Sequence, residues 1–311
     1  MSRYITGDIL NSTDIRKRIV NIDSRFRAFK DTESSTDFIY RFENPYKNVV
    51  RAKVVSAEIP LSGIETITEL RKNNYFTLKV LNLQGIAVIA TIPIMIPAAM
   101  YNTPQEIADE IQLVFNGISE DYGIFKISVI GPSNRSKICS VDSSTTIAVG
   151  HPFILDFIIS ENIKKAYDWG IGYNLGFRHT KVINVTSKED GEYCVISDCP
   201  INIDIDPYLL LAVDDYYAVD HNAGSSIRAL AKIVTGNSGN GFVYNGTNLL
   251  TNEFVFQNPT DLKQVHIRLM DPYGINVNMP CHNFSFSMEL TEAVSREAYE
   301  RLRWNSGDVR R

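Results

Sequence analysis

Between residues 37 and 290 the chain is cut into short runs of β-branched and aromatic residues, each closed by Gly, Pro, Asn or Ser. That punctuation limits the fold more than any other feature, because long helices and parallel crossovers need uninterrupted periodic segments. The clearest run is 283–290, where Phe284, Phe286, Met288 and Leu290 alternate with Ser285, Ser287 and Glu289. A period of two over that length predicts a strand with one buried face. Residues 37–42 alternate in the same way through Phe38, Tyr40 and Phe42. Further strands are expected at 19–23, 49–59, 76–83, 86–96, 125–130, 137–141, 145–149, 153–159, 182–185, 193–197, 208–219, 226–234, 253–257 and 265–270.

Two helices interrupt this pattern. Thr103-Pro104-Gln105-Glu106 places a hydroxyl at the N-cap, proline at the first helical position and Glu at the third, a capping box. Ile107, Ile111 and Val114 then form one stripe, and Gly117 ends the helix. Thr291 is read as the cap of a second helix, with Val294, Ala298 and Leu302 as its stripe.

An internal echo joins the two ends of the β region: Phe42-Glu43-Asn44-Pro45 recurs as Phe256-Gln257-Asn258-Pro259. Each Asn-Pro is expected to end one strand and lead into another, so that the two copies become sister elements of one sandwich. The fold class that follows is mainly β: an antiparallel, jelly-roll-like β-sandwich body with an inserted α+β module and a C-terminal helix. The expected boundaries are an N-terminal arm at 1–18, the body at 19–66 and 180–290, the module at 67–179, and the helix and tail at 291–311.

A chain of 311 residues with 44% apolar, 22% charged and 10% aromatic residues is globular in composition. Its longest apolar stretch, 86–100, carries Pro93 and Pro97 and falls short of the roughly 20 residues a spanning helix needs. Residues 1–8 lack the apolar segment of a signal peptide, so the chain is expected to stay on the cytosolic side of the cell that makes it. Cys139, Cys194, Cys199 and Cys281 are accordingly read as buried thiols. The net charge of −5 conceals an asymmetry: residues 1–30 hold seven Lys/Arg against three Asp, and residues 291–311 hold five Arg against four acids. Cationic ends are either solvated termini or arms that dock onto acidic neighbours. The docking candidates are Arg16, Lys17, Arg18, Arg25, Arg27, Arg301, Arg303, Arg310 and Arg311, with an Asp23–Arg25 pair inside a turn as the alternative for Arg25.

Catalytic motifs are missing: there is no G-x-S-x-G, P-loop, H-E-x-x-H or G-x-G-x-x-G. Asp204 and Asp206, with Asp214, Asp215, Asp220 and His221, offer hard oxygen ligands for Mg²⁺ or Ca²⁺, but paired acids at a strand end also serve as a solvated edge. Cys194 and Cys199 with Cys281-His282 lack the tight spacing of a zinc knuckle. His151 and His179 are isolated, and the Gly-rich run 236–241 has the composition of a phosphate cradle without its Lys or helix start. No catalytic residue, cofactor or metal is expected.

Three groups of residues, taken in order, resemble a family of structural proteins of large icosahedral nucleocytoplasmic DNA viruses. The first is Val20-Asn21-Ile22-Asp23-Ser24-Arg25-Phe26-Arg27, then Phe42-x-Asn44-Pro45 leading to Val54-Val55-Ser56-Ala57-Glu58-Ile59-Pro60. The second is Asn73-Asn74-Tyr75-Phe76, the capped helix near Thr103, and Asn174-Leu175-Gly176-Phe177. The third is Phe254-x-Phe256-x-Asn258-Pro259, Ile267-Arg268-Leu269-Met270-Asp271-Pro272-Tyr273-Gly274 and the strand from Phe284 to Leu290. Ala99-Met100-Tyr101-Asn102 stands where a Gly-Asn-Tyr turn usually precedes the helix. The resemblance implies a non-enzymatic minor capsid protein, located in the virion shell and assembled in the host cytoplasm. Its implied partners are the major capsid protein, other minor capsid proteins and further copies of itself; neither nucleic acid nor direct membrane insertion is expected. Two other classes stay open: a carbohydrate- or receptor-binding sandwich using Tyr216, Tyr217 and Tyr244, and a metal-dependent hydrolase at Asp204, Asp206 and His221.

Overall fold

The computed structural model describes residues 15–142, 149–158, 170–188, 190–217, 219–221, 227–235, 242–243, 249–295 and 297. The chain divides into two units, Met1–Gly63 with Asp206–Arg311, and Ile64–Ile205, so the second is inserted in the sequence of the first. In chain order the strands are β1 (Ile15–Asp23), β2 (Asp37–Pro60), β3 (Tyr75–Leu81), β4 (Val88–Met95), β5 (Ile124–Ile130), β6 (Arg135–Val141), β7 (Phe153–Asp156), β8 (Val182–Val185) and β9 (Tyr193–Pro200). They continue as β10 (Tyr208–Val213), β11 (Val219–His221), β12 (Ile227–Ala229), β13 (Ala231–Val234), β14 (Phe242–Val243), β15 (Leu249–Thr251), β16 (Phe254–Met270) and β17 (Ser285–Ala293). The one long helix among the described residues is α1 (Pro104–Asn116).

The first unit is an antiparallel, jelly-roll-like β body. Its main sheet runs β1-β17-β2-β16-β10-β13-β15, with β14 also on β2 and β11–β12 as a separate pair. Alternation sets the inner face: Phe286, Met288 and Leu290 of β17, Ile22 of β1, Val54 and Ile59 of β2, Leu211 of β10 and Ile267 of β16 are all fully buried. Each such side chain contributes about 1.5–3 kcal/mol of transfer free energy, so the alternating strands supply the driving force for the sheet.

Asn44-Pro45 and Asn258-Pro259 do not end strands; both lie inside the single long ladder of β2 on β16. Between the pairs Arg41–Gln264 and Tyr46–Leu262 the extra residues are on β2, whereas between Val49–Thr260 and Arg51–Val255 they are on β16. Each copy of Phe-x-Asn-Pro is therefore a bulge, where proline's missing N–H leaves no ladder bond unmade. The two bulges lie at separate points of that ladder: residues 42–45 stand opposite residues 262–264, and residues 256–259 opposite residues 49–51. Aromatic pairs brace both: Tyr40 and Phe42 meet edge to face at 5.4 Å, and Phe254 and Phe256 at 5.0 Å.

Thr291 lies in β17, paired with Lys17 and Arg51, and not at a helix cap. The apolar run ending at Leu290 continues through buried Thr291, Glu292 and Ala293, held by strands on both sides. Ala298 and Leu302 of the expected helix lie outside the described residues.

The second unit has two sheets, β4-β3-β7-β8 and β5-β6-β9, with α1 against β5 and β4. β8 and β9, expected in the body, pair here with β7 and β6. Thr103 Oγ1 accepts from Glu106 N at 3.3 Å, and Glu106 Oε2 accepts from Asn102 N at 2.8 Å, so the helix start is capped in both directions. Ile107, Ile111 and Phe115 are buried on its inner face. A chain of phenylalanine contacts, Phe157–Phe76–Phe115–Phe125–Phe153, runs through this core.

Candidate interaction surfaces

The segment from Asp23 to Arg27 is a pinned turn. Asp23 caps the short 3₁₀ turn Ser24–Phe26, accepting from Arg25 N at 2.8 Å and from Arg25 Nε at 2.8 Å. Burial alone would raise the Asp23 carboxyl, but the hydrogen bonds from Arg25 outweigh it and hold the acid below the usual carboxylate range. Ser24, fully buried, exchanges bonds with Phe284 and donates from Oγ to Asn283 Oδ1. Arg27 donates to the Ser24 and Glu33 carbonyls and to Asn283 Oδ1. With the polar groups facing inward, the apolar ones are turned out: Phe26 is 73% and Phe29 53% exposed. The Arg25 and Arg41 guanidiniums lie over these rings at 5.9 and 5.8 Å. Sequence reasoning saw the arginines and missed the phenylalanines, because an apolar residue in a short turn carries no periodicity.

The cations of β1 sit on an edge strand. Lys17 Nζ pairs with Glu289 at 2.8 Å and Arg18 Nε with Glu292 at 2.9 Å, both on β17, while Arg16 is exposed. The hydrogen bond to Glu289, then its charge, raises the Lys17 ammonium above its ordinary value. Charges along a free edge discourage unwanted strand pairing. Arg301, Arg303, Arg310 and Arg311 lie outside the described residues.

The other notable edge is β4, an end strand of the second unit. The chain carries no charged residue from Val80 to Gln105, and Leu83, Ile86, Val88, Ile89 and Met95 are exposed, Ile86 by 84%. Ile96 N donates to Asn74 O at 2.9 Å, which fixes the alternation of the β3–β4 ladder and turns the donorless face of Pro93 outward. Proline guards that point of the edge; elsewhere along β4 no further strand pairs with it among the described residues.

The remaining candidates are placed as follows. Asp204 lies one residue before the end of the second unit and Asp206 begins the second segment of the first; Asn202 Oδ1 accepts from Asp204 N, and the Asp206 carbonyl accepts from Thr235 Oγ1. Asp214 accepts from His266 N at 2.7 Å, Asp215 is exposed, and the Asp220 and His221 side chains lie outside the description. Tyr216 is packed on Phe254 and Phe256, and burial, then Asp214, drive its phenol well above its ordinary value. Tyr217 is 40% exposed with Arg228 over its ring at 4.6 Å, and Tyr244 and residues 236–241 are outside the description. His151 bonds through Nδ1 to the Leu81 carbonyl at 2.9 Å. Cys139 and Cys194 form a disulfide instead of remaining thiols, because β6 and β9 place them directly opposite each other; Cys199 is half-buried and Cys281 exposed.

The motifs that carry the resemblance do structural work. Asn73 Nδ2 donates to Asn174 Oδ1 at 3.1 Å, joining two motifs far apart in sequence. Gly176 has φ +91°, and a Cβ there would strike the Cys199 carbonyl. Asp271 Oδ1 accepts from Tyr273 N and Ile275 N at 2.8 and 2.9 Å, closing the turn after β16.

No protein-family model and no curated protein matches the chain. Two solved structures are similar to it. The crystal structure of the mavirus penton protein has 9% identity, a TM-score of 0.42, and covers 90% of this chain and 100% of its own. A chain of the cryo-EM structure of the Sputnik virophage has 12% identity, a TM-score of 0.35, and covers 90% of this chain and 98% of its own.

Proposed function

We propose that this protein is a non-enzymatic virion component, a minor capsid protein that bridges or cements capsomers through its β body and terminal segments. One observation carries the reading: a chain with well-packed cores leaves Phe26 and Phe29 outside beneath arginines, and Leu83, Ile86, Val88, Ile89 and Met95 outside on an uncharged hairpin and edge. Exposed apolar groups of this kind mark surfaces that other proteins cover, and aromatic–arginine clusters are typical anchors of such contacts. The motif residues are spent on latching turns, which suits a platform held rigid for assembly. Partners on this reading are the major capsid protein, other minor capsid proteins and further copies, in a shell assembled in the host cytoplasm.

The test is fractionation of purified particles with detection of this polypeptide by mass spectrometry. Recovery with the shell fraction supports the proposal. Recovery only from the soluble extract of infected cells, or turnover of a small molecule by the purified chain, overturns it.

A further inference from the structure

We propose that Cys139, Cys194 and Glu192 form a redox-gated site for a thiophilic divalent cation, Zn²⁺ being the best match. The β6–β9 register sets Cys139 opposite Cys194. Glu192, two residues before Cys194, brings its carboxylate to the same place, with Oε2 3.5 Å from Cys194 Sγ. One ligand atom from each of the three residues lies within 4.8 Å of the others, and Cys139 is buried while Glu192 and Cys194 are half-buried.

The carboxylate is the informative part. A disulfide is neutral and gains nothing from an acid beside it. Once the bridge is reduced, the three side chains bring two sulfurs and one carboxylate oxygen to a single point, a donor set that a divalent cation can join. Two sulfurs and one oxygen, with a fourth tetrahedral position open to water, suit Zn²⁺, which accepts both ligand types. The gate is a thiol exchange: two molecules of a small thiol reduce the bridge, giving two Cys thiols and one small-molecule disulfide. Binding of Zn²⁺ then releases the two thiol protons to solvent.

The experiment uses the full chain, reduced with a phosphine that is then removed, and titrated with Co²⁺ as a spectroscopic stand-in before displacement by Zn²⁺. Expected is one Co²⁺ per chain with thiolate-to-metal charge-transfer absorption, none with the oxidised chain, and loss of the band in the double variant Cys139→Ser, Cys194→Ser. Glu192→Gln keeps the fold and both sulfurs, and should weaken binding by about tenfold or more. The proposal is overturned if the reduced chain binds no metal, or if Glu192→Gln binds as tightly as the parent. It is equally overturned if the double variant Cys139→Ser, Cys194→Ser retains the band, which would assign the thiolate to Cys199 or Cys281.

Discussion

Ser24 and Phe284 are joined by two hydrogen bonds, one from Ser24 N to the Phe284 carbonyl and one from Phe284 N to Ser24 Oγ, each 3.0 Å long. This couple fastens the turn after β1 to the start of β17. Ser24→Ala leaves a buried N–H without its acceptor, and should cost about 1–3 kcal/mol, read as a lower urea midpoint by circular dichroism. An unchanged midpoint would show that the Asp23 cap, the Arg27 bonds and the Ser24 N–Phe284 carbonyl bond hold the turn without the hydroxyl.

The same turn gives a pH dependence. The Asp23 carboxyl is held below its ordinary value in the folded chain, so the stability it adds is present above that value and lost as pH falls through the folded one. Stability should therefore decline from about pH 5 to about pH 2 more steeply in the parent than in Asp23→Asn. Parallel curves for the two proteins would remove Asp23 as the cause.

Phe26 and Phe29 should behave in the opposite way to Ser24. Because both rings face solvent, the double variant Phe26→Ser, Phe29→Ser is expected to unfold within about 0.5 kcal/mol of the parent. Its incorporation into particles should nevertheless fall sharply. Normal incorporation would place the docking surface elsewhere.

The two Phe-x-Asn-Pro copies are alike in register and unlike in packing. Phe256 is buried among Phe254 and Tyr216, whereas Phe42 is half-buried against Tyr40 and Tyr46. Phe256→Ala should cost about 3–5 kcal/mol in chemical denaturation. Phe42→Ala should cost about 1–2 kcal/mol, in proportion to the smaller area it hides.

Gly176→Ala tests a motif glycine. Its positive φ and the Cys199 carbonyl leave no room for a methyl group, so the substitution should destabilise the Ile64–Ile205 unit by about 3 kcal/mol or more. Hydrogen exchange of β6 and β9 reports that loss directly; unaltered protection there would mean the loop relaxes freely.

Local pattern was enough to read much of this fold. The capped helix at Thr103, the alternation from Phe284 to Leu290 and strand β8 depend on residues close in sequence, and the structure has each of them. Thr291 as a helix cap failed for a reason of the same kind: a hydroxyl before a charged stripe has the local signature of a cap, but pairing with Lys17 and Arg51 is non-local. The cysteines failed similarly, since no spacing rule reveals which strands lie side by side.

Taken alone, the amino-acid sequence determined that this chain is mainly antiparallel β with a capped helix starting at Thr103, because hydrophobic periodicity, proline and caps act within a few residues. Tertiary structure alone decided that the Asn-Pro copies are bulges on the two strands of one ladder, that Asp23, Ser24 and Arg27 turn inward and Phe26 outward, and that Cys139 meets Glu192 and Cys194. Those outcomes depend on strand register, which is set by the burial of whole faces and cannot be read from any single segment.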